Sequence, residues 1–236
     1  MCNQTDNIIK SPRCLYNSHL KEFLAHNDIE ILGNIIASYH GDSQSTTIES
    51  WEEEIRILKE QLSTWADEDA YIIFEYNIPR LGKRIDAVLL LRGIIFCMEF
   101  KVGKKEVLQA DVEQVLDYAL DLKNFHLYSY DKPIVPILIP SRYVKYSTLY
   151  QSSVYNDGIS NPMISGEENL GLIIKNAIEI LAKDYQPHSW GYNWIISPYS
   201  PTPTIIEAAR TLYENHSVED ITRHEADEAS TDATIS

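Results

Sequence analysis

The stretch Lys83 to Lys101, KRIDAVLLLRGIIFCMEFK, constrains the fold of this chain more than any other. Two runs rich in β-branched and apolar residues, Arg84–Leu91 and Ile94–Lys101, flank an Arg92-Gly93 pair, the pattern of a tight antiparallel hairpin. Pairing symmetric about Arg92-Gly93 sets Asp86 opposite Glu99, with Cβ atoms about 5 Å apart. Lys101, two residues beyond Glu99, points to the same face. Two carboxylates and an ammonium thereby meet at one end of an otherwise apolar hairpin. Burying such a group is costly unless the charges are paired or hold a cation.

Like charges facing each other across a ladder repel, and a divalent cation between them removes that penalty. Mg²⁺ or Mn²⁺ suits the pair, since Mg²⁺ takes one or two carboxylates, keeps several waters and completes its shell with phosphate oxygens. A metal so held lowers the pKa of a bound water and neutralises charge on a phosphorane, with Lys101 orienting the water or stabilising the same charge. The competing reading is a plain hairpin whose two acids are solvated at a sheet end. Spacing alone does not choose between the two.

A strand Asp, a hairpin, and then Glu-x-Lys is the signature of the PD-(D/E)xK, or restriction-endonuclease-like, nuclease superfamily, which Asp86 and Glu99-Phe100-Lys101 resemble. The context agrees, because a helical run, Lys104–Asn124, and an apolar strand, Ile134–Ile139, follow. The resemblance implies an α/β fold with an α-β-β-β-α-β core, in which a mixed central sheet is flanked by helices, with helical additions at both ends. It also implies metal-dependent hydrolysis of nucleic-acid phosphodiester bonds, with Asp86 and Glu99 on the metal and Lys101 beside the attacking water. Gln114-x-x-x-Tyr118 resembles the additional motif of the RecB-like and lambda-exonuclease-like branch, where these positions support substrate or metal. Arg84 and Lys104 are the basic residues expected to contact substrate.

Net charge is the main objection. The chain carries a formal −15, which argues against a general nucleic-acid binder. The charge is unevenly spread, however. Residues 78–105 hold seven bases against two acids, Asp86 and Glu99, while the last twenty residues hold six acids and one base. No apolar run approaches the roughly 20 residues that span a bilayer, and the polar N-terminus is no signal peptide. Cys2, Cys14 and Cys97 form no metal-ligand or disulfide spacing. A cytoplasmic location is expected.

Taken in order, residues 1–16 lack periodicity and read as a flexible lead-in. Asn17–Tyr39 reads as two short amphipathic helices, followed by a polar loop at 41–47. Trp51, Ile55, Leu58 and Leu62 recur at helical spacing, with Ser50-x-x-Glu53 as a capping box. The resemblance implies a supporting acid on this helix, and Glu52, Glu53 and Glu54 remain equal candidates. Tyr71–Ile78 is the first core strand, ended by Pro79. A four-residue loop from Pro79 to Gly82 sets Glu75 opposite Asp86, making it a speculative third metal acid; a slip of one residue turns it to the other face. In the second core strand Ile85, Ala87, Leu89 and Leu91 are expected on one face, with Val88 and Leu90 on the face of Asp86. The helix after Lys101 carries a core stripe of Leu108, Val112, Val115, Leu116 and Ala119. Asp111 and Asp121 fall on the side of Gln114 and Tyr118.

Past Pro140, the bases and tyrosines between Arg142 and Tyr155 form either a single-strand-binding segment or a solvent-facing loop. A helix at Glu167–Tyr185 and a strand near Trp194–Ser197 are expected to extend the core, and an amphipathic helix carries Ile205, Ile206, Ala209 and Leu212. This C-terminal section, with IPRLGKRIDAVLLL and EFKVG, resembles the N-terminal region of bacterial Schlafen-type DNA/RNA helicase family proteins. That resemblance implies a P-loop ATPase partner domain, absent from this sequence because it contains no G-x-x-x-x-G-K-[ST]. The expected organisation is a nuclease-like domain over 17–217, with its core at about 48–140, and an acidic tail or linker over 218–236. The expected partner is nucleic acid, DNA in preference to RNA, with no membrane. The alternatives are a catalytically weak nuclease-fold module that binds nucleic acid or protein in a helicase assembly, and an unrelated α/β protein with a chance E-x-K.

Overall fold

The structure, a computed structural model, describes residues 13–41, 45–79, 81–148, 154–182 and 190–199. The chain divides into Met1–Tyr199 and Ser200–Ser236, and the second unit lies wholly outside the described residues. The helix expected around Ile205 and the acidic tail from 218 are among the residues so left out, as are Tyr150 and His188.

Among the described residues, a six-stranded mixed sheet runs in the order β1-β2-β3-β4-β5-β6. Its strands are β1 (Tyr16–His19), β2 (Tyr71–Ile78), β3 (Lys83–Leu91), β4 (Ile94–Lys101), β5 (Ile134–Pro140) and β6 (Met163–Ile164). The first four pair antiparallel, and β4–β5 and β5–β6 pair parallel. The helices are α1 (Leu20–Ala25), α2 (Asp28–Ser38), α3 (Ser45–Leu62), α4 (Gln109–Phe125), α5 (Leu170–Leu181) and α6 (Gly191–Ile196). The order α3-β2-β3-β4-α4-β5 is the expected series of core elements. The Arg92-Gly93 turn is the tightest link: both residues have positive φ, 49° and 75°, the backbone of a two-residue turn matched to the twist of its strands.

Each face of the sheet is covered by helices. One core contains Ile72, Phe74, Ala87, Leu89, Phe96 and Met98, packed under residues of α1, α2, α3 and α5. The other contains Ile73, Val88, Leu90, Ile95 and Cys97 under α4 and α6. Covering both faces accounts for the nearly unbroken apolar runs of β3 and β4.

Several expectations are corrected. Arg13 to Leu15, expected in the lead-in, run beside β2, with Asn77 N–H donating to Arg13 O at 2.7 Å and Leu15 N–H to Phe74 O at 3.1 Å. Asn17–His19 is an edge strand rather than helix, its polar side chains hiding a four-residue β pattern. Ser50 is no N-cap, since α3 begins at Ser45; its hydroxyl donates back to Thr46 O at 3.0 Å inside the helix. The helix after Lys101 starts at Gln109, not Lys104, so Leu108 is exposed and the buried stripe is Val115, Tyr118, Ala119 and Leu122. Of the helix expected at Glu167–Tyr185, Leu170–Leu181 is helical, after a single tight turn over Glu167–Asn169, and residues 183–185 lie outside the described residues. The expected strand near Trp194–Ser197 is α6. Gly191 packs flush against the Tyr71 ring, where a Cβ would clash at 2.0 Å, and Trp194 and Ile195 enter the core one helical turn later.

Candidate functional site: an acid cluster between two helices

The site forms where the regular pleat of β2 and β3 breaks. Phe74 pairs with Ala87 and Tyr76 with Ile85, and the ladder skips the step between them, Glu75 and Asp86; Glu75 turns to the α3 side instead of standing beside Asp86 and Glu99 as expected. The alternation of faces, however, does not run through this level. On β2, Ile72 and Phe74 join the α3 core, while Tyr71, Ile73, Tyr76 and Ile78 join the α4 core. On β3, Ala87, Leu89 and Leu91 face α3, whereas Ile85 has changed sides and joins Val88 and Leu90. Both phase changes fall at the two acids. Glu75 has a left-handed φ of 55°, a conformation that costs a side-chain-bearing residue about 1–2 kcal/mol. Sequence pattern carries no sign of this inversion, which is why Ile85 was expected on the wrong face.

Asp86 binds β4 through its side chain. The β3–β4 ladder runs from the turn to Ala87–Met98, and one step further Phe100 N–H donates to Asp86 Oδ2 at 2.7 Å. Glu99 lies beside it on the α4 side. Its Oε1 accepts from Lys101 Nζ and from Gln114 Nε2, both at 2.9 Å, while its Oε2 is buried without a donor. Gln114 is the hub of this side, because Nε2 also donates to the Tyr118 hydroxyl oxygen at 2.6 Å and Oε1 stands 3.4 Å from Lys101 Nζ. Asp111 adds a second anion 3.4 Å from Lys101. Asp121, expected near this group, instead accepts a hydrogen bond from Tyr199.

The α3 side is built differently. Glu75 is buried, with Oε1 accepting from Trp51 Nε1 at 2.8 Å and Oε2 in an ion pair with Arg84 Nε at 2.7 Å. Glu54 of α3 is also buried, and its Oε2 has no donor. The fold therefore answers the question among three glutamates. Glu52 is exposed, and Glu53 pairs with Arg56 at 2.9 Å. A signal for this was present in the sequence: Trp51, Glu54, Ile55 and Leu58 fall at i, i+3, i+4 and i+7, the spacing of a buried face.

These four acids act on one another. Burial pushes Glu54 well above the usual carboxylate range, and the charges of Asp86, Glu75 and Glu99 push it further. Asp86 is raised well above that range by burial and by Glu99 and Glu75, against the pull of the Phe100 N–H and Lys101. Burial also raises Glu99, although Lys101 opposes the shift. Lys101 loses some basicity to burial but regains more from Glu99, and its net shift is upward, so it stays charged. Burial beside Glu99 raises the Tyr118 phenol, which stays neutral.

Among the described residues, no three His, Cys, Asp or Glu side chains form a ready-made shell for a metal ion. The donor chemistry nonetheless fits Mg²⁺ or Mn²⁺. Asp86 and Glu99 are hard oxygen donors in the number Mg²⁺ prefers, and two buried carboxylate oxygens lack partners. Glu75, the speculative third ligand, has both oxygens already engaged, and Glu54 is the acid on this side with an unsatisfied oxygen.

Exposed bases lie in and after the strands at this end of the sheet. Lys83 and Arg84 open β3 at the sheet end where β4 delivers Lys101, and Arg142 N–H donates to Lys104 O at 3.0 Å, joining the loops that follow β4 and β5. The side chains of Lys83, Lys104, Lys105, Arg142 and Lys145 are solvent-exposed. Cys97, on the Glu99 face, is a fully buried core thiol, raised by burial alone.

No family model matches the chain, and neither a curated protein nor a solved structure does. What stands is a mixed α/β protein with an acid cluster at the broken end of its central sheet. No helix among the described residues is long and apolar enough to cross a membrane.

Proposed function

We propose that this chain is a metal-dependent nuclease that hydrolyses phosphodiester bonds of nucleic acid, DNA in preference to RNA, with the restriction-endonuclease-like core implied by its motifs. The observation carrying this reading is the meeting of Asp86, Glu99 and Lys101 at the sheet end, supported by the core element order α3-β2-β3-β4-α4-β5. Asp86 and Glu99 would hold Mg²⁺ or Mn²⁺, with Glu54 nearby. Such an ion, when bound, supplies Lewis acidity and a water of lowered pKa. Lys101, kept charged by Glu99, acts as a hydrogen-bond donor and positive charge toward the attacked phosphate, not as a base. Gln114 fixes the Glu99 carboxylate and takes up the Tyr118 hydroxyl oxygen, leaving that hydroxyl's proton free to donate. The exposed bases at this end of the sheet supply attraction for the phosphate backbone despite the chain's negative net charge. A P-loop ATPase is the partner implied by the helicase-type resemblance.

The test is cleavage of single- and double-stranded DNA and RNA with Mn²⁺ by the wild type, Asp86→Ala and Lys101→Ala. Both variants are expected to lose at least about a hundredfold in rate. Equal activity in all three removes the assignment. A second reading, a nuclease-fold module that binds nucleic acid or protein without cleaving, is favoured by one observation: Lys101 is tied to Glu99 and Asp111, so the motif residues are paired with one another. Mn²⁺ titration separates the two, because the nuclease loses Mn²⁺ binding in Asp86→Ala whereas the module shows none to lose.

A further inference from the structure

Arg84 differs from the other bases of the sheet end in being held before any ligand arrives. Its Nε is paired with Glu75 Oε2 at 2.7 Å, and its guanidinium carbon lies 5.1 Å from the centroid of the Tyr39 ring. Trp51 Nε1 fixes Glu75 through its other oxygen at 2.8 Å. Tyr39 packs edge-on against Trp51 with centroids 5.4 Å apart. Tyr39 follows α2, Trp51 lies on α3, Glu75 on β2 and Arg84 on β3, so four parts of the fold close a ring around one guanidinium. The Arg84 side chain nevertheless stays 40% exposed, and the ion pair with Glu75 is made through Nε.

Stability alone explains this ring poorly. The ion pair offsets the burial of the Glu75 carboxylate, yet it engages one edge of the guanidinium and leaves the rest of the Arg84 side chain open to solvent. A guanidinium presents five donors in one plane and binds oxyanions through two at once. Fixing its plane in advance removes the ordering cost that a mobile arginine meets on binding. Arg84 and Asp86 stand two residues apart on β3, about 7 Å, the scale of one nucleotide along a strand.

We propose that Arg84, held by Glu75 and Tyr39, grips a backbone phosphate of a polynucleotide strand, the one next to the phosphate at the acid cluster. The identity of the gripped phosphate rests on the nuclease reading; the grip itself is testable without cleavage. Glu75 thereby serves the guanidinium, consistent with both of its oxygens being engaged away from a metal.

The experiment measures binding of the full chain to a short fluorescein-labelled single-stranded oligodeoxynucleotide, by fluorescence anisotropy in EDTA across a salt series. Arg84→Ala is expected to weaken binding about tenfold and to reduce the slope of log affinity against log salt by about one. Arg84→Lys keeps the charge but cannot hold Glu75 and a phosphate together. It is expected to weaken binding at least about threefold with the slope unchanged. Lys21→Ala, a change to an exposed base on α1, is expected to leave both unchanged. Circular dichroism reports folding, and Arg84→Lys decides the matter if Arg84→Ala does not fold. Arg84 variants that bind within about twofold of wild type, or a wild type with no salt-sensitive binding, overturn the grip. Mn²⁺ cleavage run in parallel keeps the two readings apart. Cleavage with unaltered binding by the Arg84 variants sinks only the grip, and weakened binding by those variants with no cleavage by wild type sinks only the nuclease.

Discussion

The acid cluster has two flanks made in opposite ways. On the α4 side, Glu99, Lys101, Asp111, Gln114 and Tyr118 all lie within one β-loop-α unit, and each donor finds an acceptor inside that unit. On the α3 side, Tyr39, Trp51, Glu54, Glu75 and Arg84 come from four separate parts of the chain, and Glu54, like Glu99 on the other flank, keeps a buried oxygen without a donor. The first flank is a local hydrogen-bond network around a lysine. The second exists only because the sheet breaks phase at Glu75 and Asp86. Local networks tolerate single changes by rearranging, whereas an assembly held by a distorted strand has fewer ways to relax.

The largest test of that contrast is catalytic. Glu99→Gln is expected to lower Mn²⁺-dependent cleavage by at least about a hundredfold, and Glu54→Gln by about tenfold, the range in which changes to residues supporting a metal site fall. Rates from single-turnover cleavage check this. Equal losses in the two variants would break the comparison by making Glu54 as central as Glu99.

A somewhat smaller effect concerns stability and pH. Glu54, Asp86 and Glu99 are all raised in the folded chain, so the folded state holds more protons than the unfolded state above the ordinary carboxylate range. The contribution of these three acids to the stability of the metal-free protein then falls as pH rises from about 4, where unfolded carboxylates ionise, until it passes the raised folded values, while buried His126, held low, contributes in the opposite sense below about pH 6.5. Mn²⁺ should offset the loss on the alkaline side, since it binds the folded, ionised cluster. Glu54→Gln removes the acid with no counter-ion, so it is expected to raise the melting temperature by several degrees at pH 8 and to change it little at pH 4. Thermal melts at the two pH values, with and without Mn²⁺, check both statements. A Glu54→Gln variant less stable than wild type at pH 8 would show that Glu54 is satisfied in a way its burial does not reveal.

The same contrast explains what could be read from the sequence. The hairpin and its register, which carry Asp86, Glu99 and Lys101, were legible because they depend on a two-residue turn, whereas Gln114 and Tyr118 were singled out by the motif they resemble, helical spacing having set Tyr118 beside the core stripe and not in it. The pairing on either side of Glu75 and Asp86 followed from the expected loop over 79–82, but the ladder skips those two residues and Glu75 turns to the α3 side. The side change of Ile85 and the partners of Glu75 were not legible, because a left-handed residue inside a strand leaves no mark on composition or periodicity. Glu54 lies between these cases: its spacing from Trp51 and Leu58 assigns it to the buried face, but an acid there contradicts the usual rule for a core stripe. Edge strand β1 and the two-residue β6 were hidden by their brevity, since both are defined by the neighbour they pair with.

The smallest test compares one hydrogen bond on each flank. Trp51→Phe removes the N–H that holds Glu75 Oε1 and leaves a buried carboxylate oxygen with no donor from the indole. Losing the partner of a buried charged group costs about 1–3 kcal/mol, and some packing is lost with the smaller ring. Tyr118→Phe removes an oxygen that accepts from Gln114, yet Gln114 keeps Glu99 as an acceptor and is itself only partly buried. Its cost is therefore expected to stay below about 1 kcal/mol. With a shift of roughly 2–4 °C per kcal/mol for a chain of this size, thermal denaturation separates the two variants. Equal shifts would mean that the α3 flank relaxes as readily as the α4 flank, and that the phase break at Glu75 does not make the assembly rigid.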